Sequence, residues 1–172
     1  KKNTNRTLEE TLAEAEERIA AAREWNVKIT EIGVMSAFGC NYQGDIAPEL
    51  VISLIDRLIG TARENDLPIE LIQLADTMGW ANPLSIRRLV GMVQDKWPEY
   101  KINLHLHDTR GLGLANVFAA LEMGVDDFDS AVAGVGGCPY AGFKDAPGNI
   151  VTADLVDLCQ EIGVETGVDL DK

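Results

Sequence analysis

The feature that most restricts what this chain can fold into is a repeated alternation: amphipathic helix, short apolar strand, glycine-containing loop. Residues 7–25 open on Thr7-Leu8-Glu9-Glu10, which has the form of a capping box. Leu8, Leu12, Ala15, Ile19 and Ala22 then fall on one face at helical spacing. A strand is predicted over 28–35. Pro48 takes a first helical position ahead of an apolar run, and the next strand is predicted over 69–75. Asn82-Pro83 reads as the cap and first residue of a helix that ends before Pro98. A strand over 102–107, a helix over 114–123 stopped by Gly124, and a strand over 127–135 follow. A last helix covers 152–162 and stops at Gly163.

Four strands alternating with five helices imply parallel strands joined by crossover helices. Both a (β/α)8 TIM barrel and an open doubly wound sheet are built from units of this length. Two features favour the barrel. Polar residues gather where each strand ends: Ser36, Asp76, His107-Asp108, and the loop over 136–149. No Gly-x-Gly-x-x-Gly opens a helix after a strand, so a dinucleotide fold lacks its phosphate cradle. Four parallel strands cannot close an eight-stranded barrel. The expectation is an α/β chain in which residues 1–172 form one partial barrel domain, about half of a longer protein. Such a half leaves barrel interior and sheet edges uncovered.

Composition excludes several partners. The net charge is −13, which repels nucleic acid and anionic membrane surfaces. No apolar run is long enough for a transmembrane helix, and the basic start, Lys1 to Arg6, leads into no apolar core, so no secretory signal is expected. Cys40, Cys138 and Cys159 are odd in number and far apart, which argues against a disulfide scaffold and for a reducing compartment, the cytoplasm.

His105 and His107 are the only histidines, and they stand two apart on a predicted strand. Both imidazoles therefore point to one face, the barrel interior at the mouth where barrel enzymes do chemistry. Two convergent imidazoles make a metal half-site, with Asp108 placed to orient a ligand from behind. Glycines surround Cys138 in Gly134-Val135-Gly136-Gly137-Cys138-Pro139-Tyr140-Ala141-Gly142. That pattern fits a loop able to close over a site, with a thiol as nucleophile or proton donor; it equally fits a structural thiol in a tight turn. Cys159 falls on an apolar helix face with Leu155 and Ile162 and reads as core; Cys40 reads as structural. Asn149, in Pro147-Gly148-Asn149, is either an oxygen ligand or a turn residue. Asp76 either positions a base or substrate, or caps its turn.

These motifs together resemble the 3-hydroxy-3-methylglutaryl-CoA lyase branch of the metal-dependent lyase and aldolase barrels. The resemblance runs nearly end to end: Lys1-Lys2-Asn3-x-Asn5, Gly39-Cys40-x-Tyr42-x-Gly44, Asp76-Thr77-x-Gly79, His105-x-His107-Asp108-Thr109, Gly136-Gly137-Cys138-Pro139-Tyr140-Ala141, Gly148-Asn149 and Thr166 to Leu170. The histidine motif is common to the superfamily; the cysteine loop is much more specific to the lyases. The resemblance implies the C-terminal half of the barrel. It implies a Mg2+ or Mn2+ ion on His105, His107 and Asn149, with proton transfer by Cys138 and His105. It implies a supporting role for Asp76 and places Asn3 near the acyl end of an acyl-CoA substrate, in a homo-oligomer, a dimer, of the full-length protein.

The chain also departs from that family. The first-strand Arg-Asp pair has no counterpart, which leaves the metal shell incomplete. Gly33-Val34-Met35 stands where the family usually reads Tyr-Val-Ser, Ala75 replaces a glycine, and Arg110 replaces a common tyrosine. A condensing or carboxyltransferase relative would share the histidines, but the latter needs an inward lysine, and Lys28 sits only at a strand start. A third reading is an inactive fragment that folds or assembles only with a partner.

Overall fold

A computed structural model describes residues 6–136 and 148–170. Helix α1, Leu8–Glu24, leads into strand β1, Glu31–Val34, and a two-stranded ribbon of β2, Gly39–Cys40, and β3, Gly44–Asp45. Helix α2, Pro48–Glu64, strand β4, Leu71–Ala75, helix α3, Pro83–Lys96, and strand β5, Lys101–His105, follow. Helix α4, Gly113–Leu121, strand β6, Asp127–Asp129, a 3-10 turn at Val132–Gly134 and helix α5, Thr152–Glu161, complete the order.

Helices α1 and α3 start where their side-chain caps place them. Glu10 N donates to Thr7 Oγ1 at 3.2 Å and Thr7 N to Glu10 Oε2 at 2.6 Å, the reciprocal pair expected at α1. At α3 the amides of Leu84 and Ser85 donate to Asn82 Oδ1, and Pro83 fills a first-turn position whose N–H would have no partner. Glycines end two helices as expected: Gly124 with φ +80° and Gly163 with φ +78° take the left-handed conformation beyond α4 and α5.

The large sheet has the order β1-β4-β5-β6, parallel throughout. Neighbours in space are successive in the chain, with one helix between each pair, as in a barrel; a doubly wound sheet reverses direction part-way. The two faces differ chemically. Ile32, Ile72 and Ile102 stand side by side, as do Val34, Leu74 and Leu104, and all are buried in the core. The helices cover this face: Val51, Ile55 and Ile59 of α2, Ile86, Leu89 and Val93 of α3, and Val117 of α4 join the same cluster. Each such aliphatic side chain contributes about 1.5–3 kcal/mol by leaving water. The opposite face carries Gln73, Asn103, His105, Asp127 and Asp129, so apolar packing is one-sided.

Two expectations need correction. The strand expected over 127–135 stops at Asp129. There the chain turns to another partner: Ala131 N donates to Ile150 O at 3.0 Å and Thr152 N to Ala131 O at 3.1 Å. Ala133 and Gly134 then take positive φ, which no strand accommodates. The strand expected over 102–107 ends at His105, and His107 forms an isolated antiparallel bridge with Asn149. The β2–β3 ribbon was not expected, because two-residue strands show no periodicity. No helix among the described residues is long and apolar enough to cross a membrane.

Candidate active site

The polar groups predicted at the strand ends do come together, with exceptions. Leu106 is wholly buried in the helix-side core, so His105 and His107 both project the other way. Their Nε2 atoms face each other at 3.1 Å, with ring planes inclined by 59°. Ligands at right angles on an octahedral ion of Mg2+ size stand about 3 Å apart, so this spacing fits a shared cation. His107 is buried, and that burial, with His105 beside it, lowers its pKa; the Thr77 backbone and the Asn149 amide oppose the shift. A neutral ring keeps the lone pair that a metal ligand needs.

Asn149 is brought to His107 by segment pairing. Asp108 N donates to Gly148 O at 2.8 Å and Ile150 N to Leu106 O at 3.2 Å, which sets Asn149 beside His107. Its Nδ2 donates to Val135 O at 3.0 Å, while its Oδ1 is buried with no hydrogen-bond partner among the described residues. An orphaned buried carbonyl oxygen is costly and fits the third ligand of a hard cation. Gly136 leaves the space: a Cβ there would stand 2.9 Å from Asn149 Nδ2. The donor set is thus two imidazoles and an amide oxygen; no group of three His, Cys, Asp or Glu suited to a metal occurs among the described residues. The set fits a Mg2+- or Mn2+-type ion but does not complete its shell.

Asp76 is wholly buried at the end of β4. Its Oδ1 accepts from Trp80 N at 2.6 Å and its Oδ2 from Ala81 N at 3.0 Å, so it caps the turn that follows its strand. Burial pushes its pKa up to about 6 against those bonds and against the nearby Arg110 and His105. Gly79 completes the turn with φ +63°, where a Cβ would also strike Thr109 at 2.7 Å. Arg110 ties the turn to the next loop, donating to Met78 O at 2.9 Å and Gly79 O at 2.7 Å with its guanidinium over the Trp80 ring.

Asp108 does not orient a histidine. Its Oδ1 accepts from Gly113 N at 2.7 Å at the start of α4. The carboxylate that meets a histidine is Asp129 on β6, whose Oδ2 lies 2.9 Å from His105 Nδ1. Sequence reasoning missed it, although Asp127-x-Asp129 beside Asn103-x-His105 and Gln73 repeats polar residues two apart on successive strands. Cys159 is core: burial raises its thiol pKa. Cys40 is half-buried within the ribbon. Lys28 lies ahead of β1, exposed, 3.5 Å from Glu70, and does not face the site. Cys138 and Asn3 lie outside the described residues.

Comparison with known proteins places this geometry in a lineage. The sequence model of the HMGL-like family matches residues 1–172. The chain belongs to the HMGL-like family. It is 40% identical to the cytoplasmic 3-hydroxy-3-methylglutaryl-CoA lyase of Homo sapiens over all of its length and 44% of that protein. It is 40% identical to the (R)-citramalyl-CoA lyase of Chloroflexus aurantiacus, over 81% of this chain and 41% of that one. Among solved structures, the HMG-CoA lyase of Acinetobacter baumannii, in complex with coenzyme A and 3-methylmalate, superimposes with a TM-score of 0.84 at 40% identity. That match covers 98% of this chain and 52% of the other. The chain thus spans about half the length of the relatives it matches, and its sheet is about half of their (β/α)8 barrel.

Proposed function

We propose that the full-length protein is a divalent-metal-dependent carbon–carbon lyase. Its substrate is a 3-hydroxy-3-methylglutaryl-CoA-like thioester, and its products are acetyl-CoA and a keto acid such as acetoacetate. The observation that carries this reading is the 3.1 Å approach of His105 and His107 Nε2, with Asn149 paired through its backbone to His107 and its Oδ1 buried without a hydrogen-bond partner among the described residues. A Mg2+ or Mn2+ ion at this site would supply Lewis acidity toward the substrate's oxygens. His107 and Asn149 would hold it, together with His105 and with ligands from outside this chain. His105 faces the site through Nε2, and the Asp129 carboxylate on Nδ1 orients its ring. One nitrogen cannot do both at once: with His105 Nε2 on the ion the C3 hydroxyl proton goes to a water at the site, and with Nε2 free it goes to Nε2 itself.

As that proton leaves, the C2–C3 bond breaks. Its electron pair passes to the acetyl-CoA enolate, and C3 becomes the ketone. The Cys138 thiol then delivers a proton to C2, which completes acetyl-CoA. Asp76 acts through its turn, holding the 77–81 segment beside the histidines. Asn3 is assigned to binding the acyl group by the family resemblance alone. The protein acts as a dimer in the cytoplasm. The equal identity to the (R)-citramalyl-CoA lyase favours a second reading, in which the acyl group is citramalyl.

The test is release of acetyl-CoA by the full-length protein, chelator-treated and then given Mg2+ or Mn2+, with each thioester in turn. Metal-dependent cleavage is expected; no cleavage of either thioester sinks the proposal. Cys138→Ser should lower turnover by about 100-fold or more while Mn2+ binding is unchanged. Unchanged turnover would remove Cys138 from the mechanism.

A further inference from the structure

Gly33, Gln73, Asn103 and Asp127 form one row across the open face of the sheet. Ala75, His105 and Asp129 form the next row toward the strand ends. Side chains join the rows. Gln73 Nε2 donates to Asn103 Oδ1 at 3.0 Å and to Asp129 Oδ2 at 3.1 Å. Asn103 Nδ2 donates to Asp127 Oδ1 at 2.9 Å and to Asp129 Oδ1 at 3.1 Å.

The partners fix both amides. Turning Asn103 over would point its oxygen at two carboxylates, and turning Gln73 over would set oxygen against oxygen. Gly33 leaves room for the arrangement, since a Cβ there would lie 3.3 Å from Gln73 Oε1. Asp129 is therefore held at both oxygens: Oδ1 by Asn103, Oδ2 by Gln73. A carboxylate only accepts, so the His105 nitrogen at 2.9 Å from Oδ2, Nδ1, must carry the hydrogen. In the neutral ring, Nε2 then keeps its lone pair and faces His107.

We infer that Gln73 and Asn103 clamp Asp129 so that it fixes His105 as the Nδ1–H tautomer, which makes Asp129 a positioning residue for the metal site. The inference rests on the reading of His105 as a metal ligand. Two measurements on the full-length protein test it. Long-range 1H–15N spectra of the metal-free, ring-labelled protein, at about pH 8 where histidine is neutral, report the tautomer. His105→Gln assigns the signal. The wild type should show Nδ1–H, and Asp129→Ala should move His105 to Nε2–H. Paramagnetic titration should show Mn2+ binding weakened about 10–100-fold by Asp129→Ala. Asp129→Asn keeps a neutral acceptor and should restore part of that loss, and Gln73→Leu should weaken binding by a smaller factor. If Asp129→Ala does not fold, these last two carry the test. An unchanged tautomer, or Mn2+ affinity within about twofold of wild type in the folded variants, would overturn the inference. A wild type that shows Nδ1–H yet binds no Mn2+ would overturn the metal reading and with it the role assigned to Asp129.

Discussion

Asp76 shows how a buried carboxyl serves two ends at once. Its two oxygens close the turn after β4, and removal from water raises its pKa to about 6. A folded-state pKa above the unfolded value means that the folded form binds the proton more tightly. The stability it adds is complete below about pH 4 and is lost as pH rises through about 6. In chelator-treated protein, the difference in unfolding free energy between wild type and Asp76→Asn should therefore fall by about 3 kcal/mol over that window. A flat difference in urea titrations at several pH values would contradict this. At this scale the sequence was uneven. The convergence of His105 and His107 on one face was legible from their spacing, whereas the residues around Asn149 left it between oxygen ligand and turn residue. Asp108 was misassigned, because adjacency in the chain says nothing about which group a side chain meets; it caps α4, and Asp129 meets His105.

At the scale of elements, local chemistry set most boundaries. Thr7 and Asn82 start helices because their oxygens take amide hydrogens that the first turn leaves over. Asn82→Ala should therefore cost about 1 kcal/mol, seen as a lower denaturant midpoint with an unchanged slope. The loss has a further reach, since Asn82 follows directly on the turn that Asp76 closes. β6 was misread for a physical reason. Ala131-Val132-Ala133-Gly134-Val135 has strand-like composition, but Ala131 finds its partners in Ile150 and Thr152, beyond reach of any local pattern. The β2–β3 ribbon, with two residues in each strand, offers too few positions for alternation to be seen.

At the scale of the whole molecule, the sheet has one apolar face under helices and one polar face without them. β1 and β6 are its edges among the described residues. Open edges and an uncovered interior favour association. The 172-residue chain on its own should therefore sediment at a mass above that of one chain, and a compact, cooperatively melting monomer would contradict this expectation. By itself, the sequence determined the parallel α/β alternation, the helix caps and stops, and the convergence of two imidazoles on one side of β5. These follow from hydrogen bonding and periodicity within a few residues of chain. Only the tertiary structure decided that Asn149 stands beside His107, that Asp76 caps a turn, and that Gln73, Asn103 and Asp129 meet behind His105. His105 and Asp129 are separated by 24 residues, and Gln73 and Asp129 by 56. Their meeting depends on the register of parallel strands, which packing across the whole sheet sets and no local pattern encodes.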